Sequence, residues 1–250
     1  MMDIETPPVL DPYELRPFQG YMCSEGQQVE TYLSLMHFIE AEKFRGLDEG
    51  YRRYILSIED RDDFILETAG ITQGVRRPDW DEIKAPMVRA GLWMQLVQHK
   101  DSMVPLVTHP GCECPVGLVN EAIQEIYERL HTGDPLRKVL LAGDDSPDAL
   151  RNSSFDEVLD HIFNVRQPDE VIVSADGGVS MRSAAYAARR YIPLRFLPRA
   201  QSAAEFAENA ISQATHVFLL GPHGQASFAQ AAYDLACETG LVAHQVELPA

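Results

Sequence analysis

The sequence predicts an α + α/β chain: a mainly helical N-terminal domain followed by a parallel α/β domain. Three observations carry this. Up to about residue 135, apolar residues recur at three- and four-residue spacing, the period of an amphipathic helix. From 138 onward, short continuous apolar runs alternate with amphipathic stretches, as strands buried on both faces do. Charge divides at the same place: residues 1–135 carry 12 Lys+Arg and 24 Asp+Glu, whereas residues 136–250 carry 9 and 14.

In the first part, helices are expected at 30–45, 49–58, 60–70, 79–99 and 117–131. Turn signals separate them, such as Arg45-Gly46-Leu47-Asp48 and 70–74. Asp79 reads as an N-cap with Trp80 as a first-turn core residue, and the Pro-containing segment 109–116 reads as a rigid loop. In the second part the runs at 138–143, 170–175, 193–198, 215–221 and 242–248 read as strands, with helices at 153–165, 180–191, 202–213 and 224–239. Strands alternating with helices mean parallel pairing. The expected organisation is a tail over 1–17, a helical domain over 18–108, a loop and connecting helix over 109–135, and a Rossmann-like domain over 136–250.

A formal charge of −17, with 45% hydrophobic and 24% charged residues, describes an acidic but otherwise ordinary globular composition. Such a chain repels nucleic-acid backbones and anionic membranes at long range, so a nucleic-acid partner is disfavoured. No run approaches the roughly 20 apolar residues of a membrane span, and the acidic, Pro-rich start is not a signal peptide. The four cysteines (Cys23, Cys112, Cys114, Cys237) do not make a disulfide scaffold, so a reduced, cytoplasmic protein is expected. His109 with Cys112-x-Cys114 lacks the spacing and fourth ligand of a zinc site, so no metal and no cofactor is expected. Only four of the cations are lysines; the rest are arginines, the better forks for phosphate and carboxylate.

In parallel α/β sheets, ligands gather at the carboxyl ends of the strands. Here the first strand ends in Gly143-Asp144, the second in Ser174-Ala175-Asp176-Gly177-Gly178-Val179-Ser180, and the fourth in Gly221-Pro222-His223-Gly224-Gln225-Ala226-Ser227. Glycine admits a close backbone approach and a helix start favours phosphate; alternatively these glycines only turn the chain. Together with Glu208-Asn209-Ala210 and Ala214-Thr215 before the fourth strand, this order resembles the SLOG superfamily of Rossmann-like nucleotide-binding domains, nearest its YAcAr-type and DprA-like members. Ser174 and Ala175 stand where paired glycines would be, and Ser180 where an acidic residue would be. The resemblance implies phosphate or ribose contacts from Gly143, Asp144, Gly177, Gly178, Ser180, Arg182, Asn209, Gly221, Gly224 and Ser227. Arg182, near the start of a helix, is the favoured cation, or else a solvated helix-face charge.

In the first part, His37, Glu40, Lys43 and Phe44 share a helical face. They are either a reactive lysine among acid–base groups or a surface pair beside a satisfied histidine. Arg76-Arg77 is the paired-arginine site of this acidic half, an anion site or two solvated arginines. His37-Phe38-Ile39-Glu40-Ala41-Glu42-Lys43-Phe44, then Arg77-Pro78-Asp79-Trp80-Asp81, with Met87 and Gln98-His99 in support, resemble the NADAR family over about residues 18–107. Members are compact helical domains that look like N-glycosidases. The resemblance implies Lys43 as nucleophile or Schiff-base residue, His37 and Glu40 as acid–base or ribose contacts, and Arg76, Arg77 and Trp80 at the nucleotide. Met36 stands where the family has an acidic residue, and the family's ending is absent after Val107.

Both resemblances point to one ligand class, nucleotides and NAD-derived ribosides, and the substrate expected is an ADP-ribosyl or ribosylated-base compound. The function expected is N-glycosidase-like; the alternative is a non-catalytic nucleotide-binding or sequestering protein, and a third reading is an assembly protein. A homodimer is expected in each case.

Overall fold

The structure is a computed structural model describing residues 7–22, 29–70, 76–143, 154–174, 178–221 and 227–248. It is α + α/β, and the chain separates into two compact units: residues 1–20 with 30–134, and residues 21–29 with 135–250.

Ahead of the helices the chain forms a two-stranded pair, β1 (Phe18–Met22) and β2 (Val29–Tyr32), of which Phe18–Gly20 and Glu30–Tyr32 belong to the first unit. Helices α1 (Leu35–Glu42), α2 (Glu49–Ser57), α3 (Arg61–Gly70), α4 (Trp80–Gln98), α5 (Lys100–Val107) and α6 (Gly117–His131) follow. The expected helix over 30–45 is corrected at its start. Val29–Tyr32 is a strand, because its β-branched and aromatic residues fit a pleated surface, and the helix starts only after Ser34, whose Oγ accepts the His37 N–H. The single helix expected over 79–99 ends at Gln98, and a further helix, α5, begins at Lys100. Helix α4 is the spine of this unit, burying Met87, Val88, Ala90, Leu92, Trp93 and Met94. A Cβ on Gly91 would stand 2.5 Å from Phe38 Cδ1, so glycine lets α1 approach α4 closely. The residues expected as a tail are built in: Leu10 is buried, its N–H donates to the Glu113 carbonyl, and Val9 bridges Glu113 in parallel.

The second unit holds β3 (Lys138–Gly143), α7 (Phe155–Phe163), β4 (Glu170–Ser174), α8 (Gly178–Arg189) and β5 (Leu194–Leu197), then α9 (Ala203–Gln213), β6 (His216–Leu220), α10 (Phe228–Thr239) and β7 (Val242–Val246). The strands form one parallel sheet in the order β5-β4-β3-β6-β7, a Rossmann-like arrangement. Alternating side chains separate the two faces. Leu140, Ala142, Ile172, Val217 and Leu219 pack with Phe206, Ala207, Ala210, Ala232 and Ala236 of α9 and α10. On the other face Phe218 meets Phe163 of α7 edge-on. The strand order reverses between β3 and β6, where Gly143 lies opposite Leu220. A Cβ on Gly143 would meet the Leu220 carbonyl oxygen, which explains the glycine. This is the switch point at which such sheets bind ligands.

Candidate functional site

In the first unit the fold brings α1 and the start of α4 together although about 35 residues separate their motifs. Lys43 follows the last turn of α1, and its Nζ donates to both carboxylate oxygens of Glu40, at 2.7 and 2.6 Å. The same ammonium lies 5.6 Å from the centre of the Trp80 ring, within cation–π range. The Lys43 carbonyl accepts the Arg77 N–H at 2.8 Å, which ties the two motifs through the backbone. Glu40 is nearly buried, with 8% of its side chain exposed, whereas Lys43 keeps 25%. The pair is a proton donor and acceptor in direct contact, with the amine at the surface. Burial, followed by the Glu40 charge, raises the Tyr13 phenol above its ordinary value, which puts a neutral tyrosine near this carboxylate.

His37 is placed differently. Its Nε2 bonds to the Ile58 carbonyl at 2.9 Å and its Nδ1 to the Ser34 hydroxyl at 2.7 Å. The ring stacks on Phe64 and is 1% exposed. Both nitrogens therefore serve the fold, Nε2 as donor and Nδ1 as acceptor. Burial, against the Ile58 hydrogen bond, lowers its pKa and keeps the ring neutral. Arg76 pairs with Asp81 at 2.9 Å, and Arg77 holds Asp79 through two bonds. Asp79 occupies the N-cap position of α4 without a cap hydrogen bond, because its carboxylate goes to Arg77. The paired arginines thus neutralise the acidic first turn of α4. Trp80 is buried, as a first-turn core residue should be.

Beside this cluster lies a charged network that sequence spacing did not single out. Arg45 Nε donates to both oxygens of Glu42, at 2.8 and 2.7 Å, and its terminal nitrogen reaches Glu30 at 2.8 Å. Arg52, 1% exposed, forks onto both oxygens of Glu30 and donates to the Tyr32 hydroxyl at 3.2 Å. Glu49, 3.4 Å from Arg52, adds a third carboxylate at the edge of this largely buried network. Burial raises the Glu30 carboxyl, but the Arg52 bond and the Arg45 charge outweigh it, and the net shift is downward. Burial and then Glu42 push the Tyr32 phenol well up. These residues span β2, α1 and α2, so no single helical period displays them. The surplus of arginine over lysine was the available signal.

In the second unit a cavity of about 150 Å³ opens at the carboxyl edge of the sheet. Gly143 and Ser180, two of the residues expected to contact a ligand, line it, and the Ser180 hydroxyl lies 2.7 Å from that of Ser174, also in the wall. Phe206, Phe228 and the segment Pro198-Arg199-Ala200 complete it. Sequence reading weighed the ends of β3, β4 and β6 but not of β5, the strand whose end supplies Arg199. Arg182, the cation expected here, instead lies 3.8 Å from Asp156 and over the Phe155 ring, where with Arg189 and Arg190 it clamps α8 to α7. Asn209 accepts a bond from Gln213 within α9, and Ser227 caps α10 through the Gln230 N–H. Gly221 has φ +123°, a conformation that favours glycine, and its N–H donates to Val246. Gly178 is the buried first residue of α8. Asp144, Gly177 and Gly224 lie outside the described residues.

Among the described residues, no group of three or more His, Cys, Asp or Glu side chains converges to hold a metal ion, and no helix is long and apolar enough to cross a membrane. No protein-family model matches the chain, and no curated protein matches it.

Proposed function

We propose that this protein is an N-glycosidase-like enzyme acting on an ADP-ribosyl or ribosylated-base compound. One observation carries the reading. Glu40, Lys43 and Trp80, singled out from separated motifs, meet as a carboxylate and an amine in bonding contact beside an indole face. In the reaction Glu40 takes a proton from Lys43, and the freed amine attacks C1′ of the ribose as the C1′–N bond to the base breaks. The proton passes through Glu40 to the departing base. Opening of the ribose ring, with one of the two remaining N–H protons passing to the ring oxygen, leaves a protonated imine on Lys43. Water hydrolyses the imine and restores the amine. A carboxylate beside the ribose also stabilises oxocarbenium character as the bond breaks. The second unit binds the nucleotide or a second copy of the product; the protein is a cytoplasmic homodimer that uses no cofactor.

The test is incubation with ADP-ribosylated guanosine and related N-ribosides, with chromatography of the released base and borohydride reduction to trap the imine. Base release together with a reduced adduct on Lys43 supports the reading. No release by the wild-type chain, or release by Lys43→Ala at the wild-type rate, refutes it.

A second reading, nucleotide binding without turnover, is favoured by His37, whose two ring nitrogens are both spent on Ser34 and Ile58. Stoichiometric binding of ADP-ribose in calorimetry, without base release from any riboside, would support it.

A further inference from the structure

The cavity of the second unit has a composition unlike a phosphate cradle. Ala142, Gly143, Pro198, Ala200, Phe206, Phe228 and Ala229 make most of its wall. The two phenyl rings meet edge-to-face, with centroids 5.8 Å apart. Among the described residues no lysine lines it, and the arginine of the wall, Arg199, is exposed beside the exposed Pro198. Seating a phosphate against these described residues would strip a charged group of water with no buried cation among them to compensate, which is costly. A volume of about 150 Å³ is that of a cavity able to hold one benzene-sized ring. A packing void would be closed and wholly apolar. This cavity is partly open, with the exposed Arg199 and Phe228, the latter 41% exposed, in its wall, and the wall also carries the Ser174–Ser180 hydroxyl pair. Each hydroxyl can both donate and accept, the pattern that suits an uncharged amide or imide edge.

We propose that this cavity binds a single, flat heteroaromatic ring with an amide-type polar edge, joined to an anionic group. The ring packs against the edge-to-face pair of Phe206 and Phe228, its polar edge meets Ser174 and Ser180, and the anion stays near the exposed Arg199. The selectivity is for one ring over two, because shape, rather than phosphate contact, supplies the discrimination. This rests on the part of the preceding reading that gives the second unit a nucleotide-type ligand, and it is independent of the chemistry at Lys43.

Calorimetry on the full chain tests it. Nicotinamide mononucleotide and uridine monophosphate serve as one-ring probes, adenosine and guanosine monophosphates as two-ring probes, and free nicotinamide and inorganic phosphate as the separate parts. The one-ring nucleotides are expected to bind about tenfold more tightly than the two-ring ones. Ser180→Ala should weaken them by about threefold to tenfold. Arg199→Gln should weaken the nucleotides but leave free nicotinamide unchanged. Ala229→Leu fills the slot and should abolish ring binding. Should that variant fail to fold, Phe228→Ala, which removes a part-exposed wall, should weaken ring binding by about tenfold. Equal or tighter binding of the two-ring nucleotides, full competition by inorganic phosphate alone, or unchanged affinity in folded Ala229→Leu or Phe228→Ala overturns the proposal while leaving nucleotide binding intact. If no probe binds at all, the ligand assignment of the second unit falls with it. Lys43→Ala is expected to bind every probe as wild type does.

Discussion

Replacing Arg52 with methionine removes a fully buried charge of the first unit and keeps much of its volume. Arg52 is 1% exposed, and it shares Glu30 with Arg45 while standing 3.6 Å from Glu42. In Arg52→Met the largely buried Glu30 and Glu42 are left with one guanidinium, Arg45, and Glu49 loses its contact. Orphaning one side of a buried ion network costs about 3–5 kcal/mol, a large part of a domain stability of about 5–15 kcal/mol. Both tryptophans, Trp80 and Trp93, lie in α4, so tryptophan fluorescence reads the first unit alone. With a urea slope of about 2 kcal/mol/M, the fluorescence midpoint should fall by about 2 M. Adding Glu42→Gln removes one stranded charge and should recover part of the loss. Acid offers a second check. Glu30 is held below the ordinary carboxylate value, so its contribution is full above about pH 4.3 and disappears as pH falls through the lower folded-state value. The wild-type unit should lose stability across that acid window, and Arg52→Met should lose less. A midpoint shift worth under about 1 kcal/mol, with no recovery in the double variant, would refute the claim that these charges are mutually compensating.

Three further outcomes follow from the packing. Gly91→Ala raises helix propensity by about 1 kcal/mol, yet the new Cβ would press on Phe38 at 2.5 Å; urea unfolding should show a net loss of about 1–3 kcal/mol. His37 has a lowered pKa, so the unfolded chain takes up its proton first. First-unit stability should therefore fall as pH drops below about 6.5, and His37→Asn should flatten the fluorescence-detected slope. Gly143→Ala places a Cβ 2.1 Å from the Leu220 carbonyl oxygen and must part β3 from β6. Circular dichroism should register the second unit melting earlier while the tryptophan transition stays in place, and equal movement of both would contradict the division into units.

The sheet was legible because a parallel strand is covered on both faces and writes itself as a continuous apolar run: Val139, Leu140 and Leu141 are all fully buried. The helices of the first part were legible from their period, but the strand at Val29–Tyr32 was not, since four residues hold only two turns of a two-residue alternation and adjoin a genuine helix. In the candidate site, Glu40 and Lys43 were readable because they are three apart on one helix. That Trp80 would stand beside them was suggested by resemblance, not by spacing. Arg45, Arg52 and Glu30 were invisible because their partnership depends on how β2, α1 and α2 pack, and no local pattern encodes such packing.

Scarcity of positive charge sharpens where a ligand's anion can go. In an acidic chain each guanidinium is drawn to a nearby carboxylate, and the structure shows the most suggestive ones so engaged. Arg76 and Arg77 hold the first turn of α4, Arg45 and Arg52 hold α1 to β2, and Arg182 joins Arg189 and Arg190 in gripping Asp156. Such arginines could turn toward phosphate only by stranding a carboxylate, and for the buried pair that exchange would be unfavourable. Among the described residues, the cations nearest the candidate ligand sites are Lys43, whose Glu40 partner is itself a proton acceptor, and Arg199, in the wall of the second unit's cavity. Recognition by shape and hydroxyl pairing, with one peripheral cation, is therefore the economical solution for this sequence. It also gives a distinguishing salt response. Neutralising a single exposed cation predicts a shallow dependence of affinity on ionic strength, since exposed charges are screened while the ring contact is not. Calorimetry of a one-ring nucleotide at about 0.05 and 0.5 M salt should show a loss of only severalfold; a loss of several orders of magnitude would mean that many arginines leave their carboxylates to bind it.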